Sequence, residues 1–237
     1  MEYKSNRREF IKKSVVAGSA LSTAGCAGNM GIGKSLAEKS FETSKPIPKG
    51  LEYILKLRSM TDSVMSDDAR KIERASLICA GALLNGGKVY YDDTGHGESQ
   101  CILETIGGNP SFLKPLFGNE SHKVITEKDV LISNRTAPCN DAHTKGAKTV
   151  GIIMAFEPKK FQGQGIVNRD FKGPYMEDIC DVWIWDRTPF TIGILDFDLM
   201  PWKAIAAHGA MDGIILKLIA ARTVDILLEK GYKVETT

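Results

Sequence analysis

The feature that most restricts how this chain can fold is the alternation of short β-type runs with helical or loop stretches over its second half. Apolar runs rich in branched and aromatic residues occur at 88–91, 129–133, 149–154 and 181–185. Longer intervening segments separate them. Alternation of this kind predicts an α/β protein with a parallel sheet and helices on both faces, a three-layer sandwich.

Helical periodicity supports the same architecture. Apolar residues recur at helical spacing over 51–65 and again over 68–84, where Ile72, Ala75, Cys79 and Leu83 make one stripe and Gly86-Gly87 ends the run. Pro138 stands near the start and Gly146 just past the end of a further helix reaching Lys145. The last helix is the clearest, with Met211, Ile214, Ile215, Leu218, Ile219 and Ile226 on one face before Gly231.

The N-terminus reads as an address. Asn6-Arg7-Arg8-Glu9-Phe10-Ile11-Lys12-Lys13 places an arginine pair before a Phe-Ile step, and a small-residue apolar run follows from Ser14 to Gly25. That is a twin-arginine export pattern. The run is too short and too rich in Ala, Gly and Ser to span a membrane, which takes about 20 apolar residues. It ends in Ser22-Thr23-Ala24-Gly25-Cys26, which resembles a lipoprotein processing site with Cys26 as the acylated residue. Simple cleavage nearby is the equal alternative, so the exported protein is expected to be periplasmic or membrane-anchored.

Residues 1–26 are thus read as signal, 27–48 as a Gly, Ser, Lys and Pro-rich linker, and 49–237 as one domain. With 43% hydrophobic and 25% charged residues among 237, the chain can bury a sizeable core. A net charge of +2, from 31 basic against 29 acidic residues, excludes a polyanion such as nucleic acid as the expected partner. The five cysteines form no C-x-x-C pair and read as scattered thiols rather than a zinc site or disulfide framework.

In an open parallel sheet the ligand lies beyond the carboxyl ends of the strands. The first such segment is Asp92-Asp93-Thr94-Gly95-His96-Gly97-Glu98-Ser99, ahead of a helical stretch at 98–106. Gly95 and Gly97 let backbone amides approach a ligand, and a helix N-terminus favours an anion. The second is Ser133-Asn134-Arg135-Thr136-Ala137-Pro138, with two hydroxyls, an amide and a guanidinium at another helix start. Both are candidate anion-binding turns.

Together these segments resemble the sugar isomerase (SIS) domain family. The resemblance is carried by a helix, the Gly86-Gly87-Lys88-Val89-Tyr90-Tyr91 strand, the Thr94-Gly95-His96 turn, a helix, the 129–134 strand and turn, another helix and Lys148-Thr149-Val150-Gly151-Ile152-Ile153. It extends through Cys180-Asp181-Val182 and the closing helix, over roughly residues 51–231. Within that family the chain looks most like small single-domain phosphosugar-binding proteins whose first turn reads Thr-Gly-His-Ser. The resemblance implies a flavodoxin-like sheet, a homodimer and a phosphosugar or other small anionic sugar as ligand. Ligand contacts would come from Thr94, Gly95, Gly97, Ser99, Ser133, Asn134, Arg135 and Thr136.

Two departures bear on that ligand. The family's second turn commonly reads Ser-x-Ser-Gly, and here Arg135 stands at the second serine and Thr136 at the glycine. In the first turn Gly97 replaces the hydroxyl after the histidine, with Ser99 two residues on.

Interconverting an aldose and a ketose requires a base to move a proton between carbons and an acid to shuttle one between oxygens. Candidates are His96, Glu98 and His208, with His143 inside a helix and His122 in a polar loop less suited. His96 could instead bond backbone, His208 could cap the last helix, and Arg135 could be a solvated charge. Asp92, Asp93 and His96 could also suit a divalent metal, but no second ligand group accompanies them, and neither metal nor cofactor is expected. The aromatic residues Trp183, Trp185, Phe190, Phe197 and Trp202 fit core or dimer interface better than a sugar platform. A Lys-rich excursion at 157–172 reads as a surface segment or lid. Three functions compete: a sugar-phosphate isomerase, a non-catalytic sugar-binding module, and a scaffold for another exported protein.

Overall fold

The computed structural model describes residues 47–92, 109–116, 121–154, 174–189, 193–201 and 203–236. The expected signal, the Thr94–Ser99 turn with His96 and Glu98, the 98–106 helix and the 157–172 excursion lie outside the described residues, as do Cys26, Cys101, Phe190 and Trp202.

Two helices open the domain, α1 (Lys49–Asp67) and α2 (Ala69–Leu84). In α1, Glu52 pairs with Lys49 and Lys56 one turn away on either side, each at 2.9 Å. Buried positions of α2 repeat at 72, 75, 76, 79, 80 and 83, the stripe expected from its sequence. The helix closes where Gly86 takes φ +79 and the Gly87 amide donates to the Ala82 carbonyl at 2.9 Å. At Gly87 a Cβ would collide with the Lys128 carbonyl, so only glycine lets β1 start there.

The sheet follows: β1 (Val89–Asp92), β2 (Leu113–Leu116), β3 (Val130–Ser133), β4 (Lys148–Ile153) and β5 (Val182–Trp185). All neighbours are parallel, in the order β2-β1-β3-β4-β5. Every residue of β1 and β3 is buried, as a strand covered on both faces requires. Helices α3 (Thr136–Thr144) and α4 (Met176–Ile179) lie between strands in sequence, and α5 (His208–Glu229) closes the domain.

Alternate residues of each strand point to opposite faces. Val89, Tyr91, Val130, Ile132, Val150, Ile152, Val182 and Ile184 face α2 and α5, with Met211, Ile215, Leu216 and Ile219 of α5 filling the layer. On the other face Tyr90 and Leu131 pack with Ala142 of α3, and Ile153 packs with Cys139, Met176 and Ile179. A three-layer α/β sandwich with a flavodoxin-like parallel sheet results, as the alternation of runs predicts.

Several elements differ from expectation. Strand β2 was not predicted: its core, Leu113-Lys114-Pro115-Leu116, contains a proline, which only an edge strand tolerates. A short hairpin of β6 (Gly193–Leu195) and β7 (Ala204–Ala206) adds an antiparallel pair whose strands are too short for periodicity to reveal. It docks on α1, where Tyr53 Oη donates to the Ala206 carbonyl at 3.0 Å and Lys56 Nζ to that of Ile194 at 2.6 Å. His122 lies in a short 3-10 turn, Ser121–Val124, rather than in an irregular loop. Cys79, Cys139 and Cys180 are free thiols. No helix among the described residues is long and apolar enough to cross a membrane.

Candidate functional site

The winding of the sheet reverses between β1 and β3: the chain goes from β1 outward to β2, then returns past β1 to build β3, β4 and β5. Crossovers leaving the two strands in opposite directions open a crevice at their carboxyl ends, the usual ligand position in such sheets. Asp92, the last residue of β1, is registered opposite Ser133, the last of β3. The Thr94 turn follows two residues after Asp92, so both turns singled out in the sequence spring from adjacent strand ends.

The described floor of this crevice is a connected polar network. Asp92 is 0% exposed. Its carboxylate accepts two bonds from the Arg135 guanidinium, Nη2 to Oδ1 at 2.6 Å and Nε to Oδ2 at 3.1 Å. Such a fork holds both groups in one orientation. The Ser133 hydroxyl donates to Asp92 Oδ2 at 3.0 Å and accepts from the Arg135 amide at 3.0 Å. It thereby closes a small turn over its own backbone.

Next to it, Asn134 is buried and donates from Nδ2 to Asp212 Oδ2 at 3.0 Å. Asp212 sits one helical turn after His208 on α5, so the start of that helix is brought against the turn after β3. His208 is buried and is the first residue of α5, after Ala207 in the cap position. Thr136 is the first residue of α3. His143 is exposed in the last turn of α3, away from this crevice.

Of the expected site residues, Ser133, Asn134, Arg135, Thr136 and His208 therefore gather at one edge. Thr94, Gly95, His96, Gly97, Glu98 and Ser99 lie outside the described residues. Arg135 is no solvated loop charge: its inner edge is held by Asp92, and its side chain is 25% exposed. Asp92, a residue type that suits a divalent metal, turns its carboxylate onto Arg135.

Two residues escaped the sequence reading. Asp212 carried a signal, four residues after His208 on one helical face, but its partner Asn134 is 78 positions away. Asp186, just beyond β5, is a further buried carboxyl. Burial pushes its pKa up to about 7, against the bonds it accepts from the Thr188 amide and hydroxyl and the charge of Arg187. Arg187 itself adopts a left-handed φ of +67 and reaches back to Asp68 at 2.6 Å while stacking on Trp185 at 4.7 Å. That arrangement ties the end of β5 to the start of α2, which is a structural role.

No protein-family model matches this chain, and no curated protein is similar to it. The chemistry of the crevice must therefore be read from its own residues. A cavity of about 420 Å³ lined by Leu83, Lys88, Phe112, Lys114, Tyr232 and Lys233 lies at the opposite, amino ends of β1 and β2. The amino edge lacks the reversal of winding that opens a crevice, and neither His208 nor the turn after β3 lines this cavity.

Proposed function

We propose that this is an exported SIS-like protein that binds a phosphosugar or related anionic sugar in the crevice between the ends of β1 and β3. What carries the reading is the strand order, which sets Asp92 and Ser133 side by side at the point where the winding reverses. Buried polar groups that are held in fixed directions suit the hydroxyls of a sugar, because they need no reorganisation on binding.

In the catalytic form of this function, His208 works with His96 or Glu98 as the acid and base of an aldose–ketose interconversion. In the second form the protein binds its sugar without converting it. The altered second turn favours this form, since Arg135 and Thr136 stand where the family has serine and glycine. The twin-arginine pattern supports a periplasmic or membrane-anchored location, and the family resemblance a homodimer.

Thermal-shift titration of the mature chain with sugar phosphates and sugar acids, followed by turnover assays, tests both forms. His96→Ala is expected to abolish ligand stabilisation with the unliganded melting temperature nearly unchanged, and His208→Ala to remove any turnover. Absence of stabilisation by every sugar anion would refute the proposal.

A further inference from the structure

The bonding of Arg135 narrows the class of ligand. A guanidinium carries five N–H donors. Asp92 takes one from Nε and one from Nη2, which leaves the outer edge formed by Nη1 and the second Nη2 hydrogen. Among the described residues no other side chain accepts from that edge. Asp92 is buried, while the Arg135 side chain remains a quarter exposed.

Resting on the function proposed above, we infer that this outer edge is the anion-recognising group of the site and that its ligand is a sugar acid, held by its carboxylate, rather than a sugar phosphate. Two planar oxygens match one Nη1 and the free Nη2 hydrogen, two of the three that remain, in a second fork end-on to the first. Charge points the same way. The Arg135 guanidinium is already paired with the buried Asp92 carboxylate. Each negative charge on a ligand is attracted by Arg135 and opposed by Asp92 behind it. A second ligand charge thus gains little from the floor, while a dianion loses far more hydration than a monoanion on entering a buried crevice. Asp92 is the positioning residue of this arrangement, because it fixes the plane in which the outer edge is presented.

Matched pairs sharing a ring separate the alternatives: glucuronate against glucose 6-phosphate, and galacturonate against galactose 6-phosphate, with glucose and galactose as neutral references. Calorimetric titration of the full mature chain is expected to give at least tenfold tighter binding to the acid than to the phosphate in one pair. Arg135→Lys keeps the charge but loses the fork, and is expected to weaken the acid at least tenfold while barely changing the neutral sugar. Asp92→Asn removes one opposing charge, and is expected to shift the acid-to-phosphate ratio about tenfold toward the phosphate. A purely structural Asp92 would weaken both ligands alike and leave the ratio unmoved, which would overturn the inference. If Arg135→Lys does not fold by circular dichroism, the Asp92→Asn ratio decides alone. Tighter binding of the phosphate by the unaltered chain overturns the sugar-acid assignment and leaves the proposed function standing. Failure to bind either anion of both pairs overturns the two together.

Discussion

Removing the Arg135 guanidinium by Arg135→Ala strands a carboxylate that has no access to water. Asp92 is 0% exposed, and the fork at 2.6 and 3.1 Å supplies the only cation on it among the described residues. Breaking a buried pair by deleting one partner costs about 3–5 kcal/mol, since the remaining charge stays desolvated. Here the lower end applies, because Arg135 is a quarter exposed and the Ser133 hydroxyl still donates to Asp92. For a domain of this size about 3 kcal/mol corresponds to a fall of about 6–12 °C in melting temperature. Urea unfolding at pH 7 measures the loss. Combining Arg135→Met with Asp92→Asn removes both charges and is expected to recover most of the lost stability. A loss below about 1 kcal/mol at pH 7, or a double variant no better than Arg135→Ala, would show that the pair is not what holds this edge together.

Further expectations concern Asp186 after β5 and the β6–β7 hairpin. Asp186 keeps its proton up to about pH 7 when folded but only to about 3.8 when unfolded, so the folded state binds more protons across that window. This group's contribution to stability therefore declines as pH rises from about 4 to 7 and is level above it, by about 4 kcal/mol at most. Asp186→Asn should flatten that slope and raise stability at pH 8; a variant with an unchanged slope contradicts the assignment. Ile205, in the exposed β7, holds a left-handed φ of +61, which a β-branched residue tolerates poorly. With its side chain 52% exposed, Ile205→Asn gives up little burial and should gain about 1 kcal/mol in chemical denaturation. Destabilisation instead would mean that the side chain matters more than its backbone.

Much of the fold could be read locally. The stripes of α1, α2 and α5 and the apolar runs of β1, β3, β4 and β5 are periodic patterns within single segments, and each segment folds as its period predicts. Strand β2 could not be read in this way, because it is held by pairing with β1 and tolerates Pro115 only through its edge position. The hairpin of β6 and β7 is stabilised by α1, about 140 residues earlier in the chain, through Tyr53 and Lys56.

The same division runs through the crevice. The sequence alone placed Ser133, Asn134 and Arg135 at a strand end and His208 at the mouth of the last helix, because strand and helix boundaries are written in local composition. Only the tertiary structure turned Arg135 inward onto Asp92, across 43 residues, and brought Asp212 to Asn134 across 78. Those contacts depend on which strands lie side by side and in what register. Strand order is chosen by burial of whole faces and by the crossovers between them, so no stretch of residues encodes it by itself.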